Sequence, residues 1–595
     1  MRRGYTNTRV IFFNAPSAAN WGRPVHSRRR LHFTLCALVL LSLATFFMAA
    51  YVFNNLSHKN GNPYWTTGER LRLTAVQSGD GLRVTWYSEL NTRQRLERAL
   101  ATPCKDPLML EGDVSDRSYD ATKPEKEQLM MAVTRDVIGD ITLEDWLDEV
   151  IASRKGGIKL NFMAPDSLER ALELLAARTL ALLHVPVWLA VTVVNGPGGD
   201  GNIVDAKWAM RTVNVTYPRA QLVFQWALPC CGDDGAKFGR GSMETMLKVC
   251  QQTHQPIIVS ARATHAALQW RHFRWLLESS DRLSLLLWSP DDDKSWRNDT
   301  SYYDLLTIRN DWNKRRIFYD LPELRLQHFR RLAETAGSPL HHFDVRDRDA
   351  SRITWSHGAN TMDTLALAGR EGAMMLEADV SLDGQGTSRQ TNTPVMTHRG
   401  VPRDKHKNAS LSLRQWLELV LSTNKAIKLD IKSSDAVVPT LKLLAEKRSQ
   451  LQRPIWLNGD ILRGPNALHD PMNTTHFLKS VNAIFPEVAF SLGWTSGWSD
   501  GQDNEAYSWE MVEKMEKVAR KLHQPITFAV RAVLARRSWE KLDWLLRQSR
   551  SYSLTLWCSP TSTDKIAVSD MDFIRHQSER SRVYFDVPPD VMPIL

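Results

Sequence analysis

The sequence is poor in cysteine, with six in 595 residues. None sits in a Cys-x-x-Cys pair or a Cys/His cluster, so nothing points to a zinc site. Cys104, Cys230, Cys231 and Cys250 fall in the first half and Cys558 stands alone in the second. An oxidising compartment would permit one or two disulfides in the first half, but spacing does not fix a pairing. Acidic residues are absent from positions 1–30, which hold Arg2, Arg3, Arg9, Arg23, Arg28, Arg29 and Arg30. Those arginines account for most of the formal charge of +10. The remainder is nearly neutral, which excludes a nucleic-acid partner. Charge of either sign is then missing from Leu31 to Phe53. At about 1.5 Å per helical residue this apolar run spans a hydrocarbon core of roughly 30 Å.

The expectation is a basic cytosolic tail (1–30), an uncleaved transmembrane signal-anchor helix (31–53) and a stem (54–70). Arginines on the N-terminal side place the rest of the chain in the lumen or outside the cell, a single-pass type II arrangement. Asn55, Asn214, Asn298, Asn408 and Asn473 each begin an N-x-Ser/Thr sequon beyond the anchor and are candidate glycosylation sites.

What is present in abundance is self-similarity. Thr85-Trp86 with Asn91-Thr92 matches Thr354-Trp355 with Asn360-Thr361. Met109-Leu110-Glu111-Gly112-Asp113-Val114-Ser115 matches Met375-Leu376-Glu377-Ala378-Asp379-Val380-Ser381. Ile158-Lys159-Leu160 matches Ile427-Lys428-Leu429, and His254-Gln255-Pro256 matches His523-Gln524-Pro525. Tyr319-Asp320-Leu321-Pro322 matches Phe585-Asp586-Val587-Pro588. The near-constant register shows a duplication, with copies at 71–325 and 341–595 joined by 326–340. Short apolar runs (Met374–Val380, Ala426–Ile431, Pro454–Leu457, Val488–Leu492, Ile526–Val530, Ser553–Trp557, Val583–Val587) alternate with amphipathic stretches such as Leu413–Ser422. That pattern predicts an α/β fold: two tandem (β/α)8 TIM-type barrels behind an N-terminal transmembrane helix. The repeated tryptophans Trp86, Trp288, Trp355 and Trp557 read as core.

Barrel enzymes gather reacting groups at the C-terminal strand ends. In the second copy the first strand ends at His357, followed by Gly358 and Asn360. Glu377 and Asp379 share one face of the next strand, because strands alternate with period two. Pro394–Thr397 reads as a further strand ending at His398. Lys428, Asp430 and Lys432 share a face of the strand after that. Three carboxylates suit a hard divalent cation, Mg2+ or Ca2+. Two histidines supply an acid and a base near neutral pH, and a lysine offsets charge on a phosphate. Taken one at a time, such residues are more often satisfied polar groups at strand ends; their joint order is what points to a site.

In that order, His357-Gly358-x-Asn360-Thr361, Glu377-x-Asp379, His398 and Asp430-x-Lys432 resemble the phosphatidylinositol-phospholipase-C-like superfamily, with its glycerophosphodiester phosphodiesterases and sphingomyelinases D. More closely, Thr354-Trp355-Ser356-His357-Gly358-x-Asn360-Thr361, Leu376-Glu377-x-Asp379-Val380 and Lys428-Leu429-Asp430-Ile431-Lys432 resemble the menorin family, the "family with sequence similarity 151" group. An anchor followed by two copies is similar to its two-domain members. The resemblance implies His357 and His398 as the acid/base pair and Glu377, Asp379 and Asp430 as metal ligands. It also implies Lys432 as the phosphate contact, with Asn360 and Lys428 in support. The glycerophosphodiesterases usually carry Arg after the first His, where this chain has Gly358. In the first copy Ser88 replaces His357, Val133 replaces His398, Asn161 replaces Asp430 and Met163 replaces Lys432. Glu111 and Asp113 remain. The expectation is a metal-dependent phosphodiesterase in the second copy, cleaving a lipid-like or glycerol phosphodiester, beside an inactive first copy. The alternative is a non-catalytic cell-surface protein that uses the barrels to bind a protein partner.

Overall fold

Each repeat alternates strand and helix because short, largely apolar strands of two to eleven residues are separated by amphipathic helices. The computed structural model describes residues 79–103, 107–118, 128–132, 137–162, 165–199, 201, 203–228, 237–398, 411–559 and 563–588. All of these fall within one compact unit, Thr67–Leu595. Among the described residues no helix is long and apolar enough to cross a membrane. The segment 31–53, with Asn55, Asn408, Val133, Met163, Cys104, Cys230 and Cys231, lies outside them.

The first repeat contains β1 (Thr85–Tyr87), β2 (Leu108–Ser118), β3 (Leu129–Ala132), β4 (Ile138–Thr142), β5 (Gly157–Phe162), β6 (Val187–Asn195), β7 (Gln221–Ala227), β8 (Ile257–Arg262), β9 (Leu283–Trp288) and β10 (Ile317–Asp320). Strands β1, β2 and β5 to β10 pair in parallel, in order, while β3 and β4 form an antiparallel excursion from β2. The second repeat contains β11 (Trp355–Ser356), β12 (Met375–Leu382), β13 (Pro394–Met396), β14 (Ala426–Ile431), β15 (Ile455–Arg463), β16 (Ala489–Thr495), β17 (Ile526–Arg531), β18 (Tyr552–Trp557) and β19 (Val583–Asp586). It repeats the parallel series, with β13 antiparallel to β12. The further strand read at Pro394–Thr397 is present as β13, and it runs antiparallel. The link from Leu382 is a turn-rich loop, with Gly384 and Gly386 at φ of 70° and 77°. A parallel return needs a longer crossover, so the chain comes back antiparallel.

The two parallel sheets curl until first and last strands lie side by side. Among the described residues, no backbone ladder joins β1 to β10 or β11 to β19; side chains bridge the gap instead. Asp80 pairs with Arg309 across the first gap and Asp349 with Arg575 across the second, each at 2.6 Å. Inside each sheet, inward residues stack in layers. Trp86, Trp188 and Phe318 form the floor of the first, with ring centroids 5.5 and 5.1 Å apart. Trp355, Trp456 and Tyr584 form that of the second, at 5.6 and 5.1 Å. Trp86 and Trp355 are thus core, whereas Trp288 and Trp557 are only partly buried.

A short helix, Pro339–His342, capped by Ser338, seats Leu340 (1% exposed) among Trp355, Met375, Trp456 and Tyr584. The stretch between the repeats therefore closes the underside of the second sheet. Tyr303 Oη also donates to the carbonyl of Pro486 at 2.8 Å, and Arg348 donates to the carbonyls of Asn310 and Asp311 at 2.6 and 2.7 Å. Cys250 and Cys558 are buried. Asn214 and Asn473 are exposed; Asn473 Oδ1 caps the helix Thr474–Ile484, leaving its Nδ2 outward. Asn298 begins the helix Asn298–Asp311, but its side chain lies outside the described residues.

Candidate functional site

Helix Leu413–Leu421 starts at a Ser412 capping box and buries Leu413, Trp416, Leu417 and Val420 on its sheet-facing side. Trp416 Nε1 donates to the carbonyl of Ala359 at 2.7 Å, fixing the loop that follows β11. In the first repeat Trp146 does the same to Leu90 at 2.9 Å. Ala359 N–H donates to the carbonyl of Glu377 at 2.8 Å, so this loop is clamped to β12. Gly358 adopts φ of +67° and turns its N–H onto Glu377 Oε2 at 2.7 Å. A left-handed residue is needed here, which glycine takes without strain. The first repeat has Glu89 at φ of 57°.

Around this loop the structure brings together seven of the eight catalytic, ligand and supporting candidates. Asn360 exchanges two hydrogen bonds with Asp379, Nδ2 to Oδ2 and Asp379 N–H to Oδ1, each 2.8 Å. Glu377, Asp379 and Asp430 place oxygens within 4.8 Å of one another. Lys432 Nζ lies 2.8 Å from Asp379 Oδ1 and also bonds Asp430. Asn458 Nδ2 donates to Asp430 Oδ1 at 2.8 Å, and Ser491 donates to Asn458 at 2.6 Å. His398 is the exception. It reaches this end on the β13 excursion, one residue past Thr397, whose N–H donates to the carbonyl of Asp379 at 3.0 Å. Its imidazole is exposed at the rim.

Asp586, at the end of β19, is fully buried and was not among the sequence candidates. Its carboxylate bonds His357 Nδ1 at 3.2 Å and Lys428 Nζ at 3.0 Å. The match of Tyr319-Asp320 with Phe585-Asp586 was the signal that could have found it. Glu377 Oε2 lies 3.8 Å from the same Nδ1. Both neighbours of Nδ1 are acceptors, so that nitrogen carries the proton and Nε2 is the atom free to exchange one.

Burial lowers the affinity of His357 for its second proton, but Glu377 and then Asp586 more than offset this, and the ring rises to about 9. Burial pushes Glu377 up to about 7 against the pull of His357. Burial also opposes ionisation of Asp430 and Asp586. Lys432 and Lys428 overcome it at Asp430, and Lys428 and His357 at Asp586, so both are held at about 2. Asp460, on β15, is pushed up to about 7 by burial and by Asp430.

The first repeat keeps the frame but fills it with a different set of groups. Lys159 bonds Glu111 at 2.5 Å and lies 3.6 Å from Asp320, while Ser88 Oγ donates to Asp320 at 2.8 Å. Asn161 Nδ2 bridges Glu111 and Asp113 at 2.6 and 2.7 Å, occupying with a neutral amide the ground between the carboxylates. All donors in the second cluster are oxygens, the set a hard cation takes. The three carboxylates are a group that could hold such a cation, at a place where Lys432 now pairs with two of them.

A family model described as the Menorin N-terminal domain matches the chain twice, at residues 80–325 and 349–592. Protein FAM151B from Homo sapiens is 39% identical over 267 residues, covering 43% of this chain and 94% of that protein. Among solved structures, the catalytic domain of a hyperthermophilic chitinase from Pyrococcus furiosus covers 36% of this chain and 73% of its own. It is 17% identical, with a TM-score of 0.23. A chitinase domain from the same organism, complexed with chito-oligosaccharides, covers 40% and 81% at 15% identity and a TM-score of 0.25. Likeness at that level carries no argument.

Proposed function

Because the chain belongs to the menorin family, with its N-terminal domain present twice, we propose that the second copy is a metal-dependent phosphodiesterase and the first an inactive partner. In this reading each copy is a (β/α)8 barrel of the phospholipase-C-like superfamily. Residues 31–53 anchor the chain as a type II membrane protein with both barrels extracytoplasmic. The observation that carries the reading is the asymmetry of the two clusters on one frame. Only the second adds an imidazole, a third carboxylate and a lysine to the shared Glu, Asp and Asn.

Glu377, Asp379 and Asp430 would hold Mg2+ or Ca2+, which polarises a phosphate oxygen and offsets its charge when bound. Lys432 sits at the edge of that trio and meets the phosphate as a point charge. Asp586 and Glu377 hold the imidazolium of His357 with Nε2 toward the mouth, so it donates a proton to the leaving alcohol oxygen. His398, from the rim, takes the proton of the attacking hydroxyl. That hydroxyl is water in a hydrolase, or the substrate's own in a lyase. The substrate is a lipid-like or glycerol phosphodiester.

A screen of phosphodiesters with the purified chain, with and without EDTA, tests this. Metal-dependent turnover that Asp430→Asn lowers is expected. No turnover on any diester, with folded protein and added Mg2+ or Ca2+, refutes it. One observation favours a second reading, a non-catalytic cell-surface binding protein: Lys432 already neutralises Asp379 and Asp430, so the cluster is satisfied without a cation. Topology is checked in sealed microsomes. Protection from external protease, with glycans on Asn55, Asn214, Asn298, Asn408 or Asn473, is expected; a protease-sensitive, unglycosylated chain excludes the type II arrangement.

A further inference from the structure

One carboxyl at the mouth of the second repeat has no use in this scheme. Asp460 follows Trp456 and Asn458 on the inward face of β15, which bulges just beyond it. Glu377, Asp379, Asp430 and Asp586 each have a cationic or amide donor. The side chain of Asp460 has no hydrogen-bond or ion-pair partner among the described residues, although it is more than half buried. A carboxyl set in a partly closed mouth with no protein donor leaves its oxygens open to accept from a group outside the protein.

Its position is also specifically accommodated. Gly493 is its register partner on β16, and a Cβ there would lie 2.2 Å from Asp460 Oδ1. The bare glycine lets the carboxyl lie across β16, away from the lysines. There it faces the side of the mouth where Arg531 stacks on Trp557 at 4.4 Å and donates to the carbonyl of Ser496 at 3.1 Å. The first repeat has the same bulge in the same register, with Thr192 opposite Gln225 in place of Asp460 opposite Gly493. The acid and the space for it therefore occur together, and only in the repeat with the imidazole.

Resting on the phosphodiesterase reading, we propose that Asp460 is a specificity-determining residue that accepts hydrogen bonds from free hydroxyls on the substrate's alcohol. A phosphate held by Lys432 and His357 on the β11–β14 side projects its alcohol over β15 and β16. There Asp460 is the acceptor in reach. The class selected is a phosphodiester of a polyol, and an alkyl or quaternary-ammonium headgroup leaves this carboxyl unpaired.

Binding calorimetry on the full chain with Mg2+ present, using glycerol 3-phosphate and propyl phosphate, tests this, because the two differ only in two hydroxyls. Wild type should prefer glycerol 3-phosphate by roughly 10- to 100-fold, the range for a hydrogen bond to a charged group. Asp460→Asn should reduce that preference severalfold. Asp460→Thr, which copies the first repeat and so keeps a side chain this frame accepts, should bring it close to one. Thr192→Ala should leave the preference intact. An equal preference in wild type and both Asp460 variants overturns the assignment while leaving the phosphodiesterase reading in place. If wild type binds neither ligand, that reading falls and takes this one with it.

Discussion

Replacing Asp586 by Asn isolates what one buried charge does for the site. The carboxylate is fully buried and touches two cationic groups, His357 Nδ1 at 3.2 Å and Lys428 Nζ at 3.0 Å. At an effective dielectric of about 20, unit charges about 4 Å apart interact by about 4 kcal/mol, or roughly three pKa units. Glu377 remains 3.8 Å from the ring, so it retains part of the support. The His357 pKa should therefore fall from about 9 by roughly one to three units. Lys428 is left buried with one partner removed, a loss of about 3–5 kcal/mol, which lowers Tm by roughly 6–20 °C for a domain of this size. The assay is a pH titration of 15N-histidine-labelled, EDTA-treated chain, with the His357 signal assigned from His357→Gln, alongside calorimetric melting. Adding Lys428→Met to Asp586→Asn should restore part of the Tm, because the unpaired ammonium is gone, without restoring the titration. A His357 signal that titrates at the same pH in Asp586→Asn refutes the electrostatic account.

His357→Ala should lower any phosphodiester turnover by about 10²- to 10⁴-fold, whereas Ser88→Ala should not; steady-state rates on the best substrate from the screen decide it. In metal-free protein the raised pKa of His357 contributes stability of about 3 kcal/mol, since a shift from 6.5 to about 9 is worth 1.36 kcal/mol per unit. That contribution is fully present below pH about 6.5 and is lost as pH rises through about 9. Denaturant melts at pH 6 and 9.5 should therefore differ more for wild type than for His357→Gln, and equal differences would contradict the assignment. Leu340→Asp places a charge against the Trp355–Trp456–Tyr584 floor and should cost at least about 3 kcal/mol. A melt in which it matches Leu324→Asp, at an exposed position, would show that the connecting helix does not close the second sheet.

Most of the strands were legible because buried parallel strands are short apolar runs. Ala426–Ile431 matches β14 end to end, and Val488–Leu492 falls within one residue of the start of β16. Pro394–Thr397 was legible as a strand but its direction was not, because a strand looks the same whichever way it runs; the turn chemistry of the preceding loop decides it. Glu377, Asp379, Asp430 and Lys432 could be grouped by period-two alternation alone. Asp586 could not, since its role depends on the last strand closing against the first, a contact no local pattern encodes. Asp460 was passed over for a similar reason: its distinctiveness lies in having no partner, and in a glycine 33 positions away that makes room for it.

The gap between first and last strands also explains why the first repeat is not simply apolar inside. With no backbone ladder there among the described residues, Ser88–Asp320 ties β1 to β10 and Lys159–Asp320 ties β10 across the interior to β5. A copy relieved of chemistry can discard its proton carrier, but greasing these positions would let the seam gape. Glu111, Lys159 and Asp320 in the first repeat therefore have a structural use of their own, independent of any chemistry in that copy. Charged residues shared by both repeats, such as Lys428 and Asp586, therefore serve the closure of the sheet as well as any part they take in the second repeat's site.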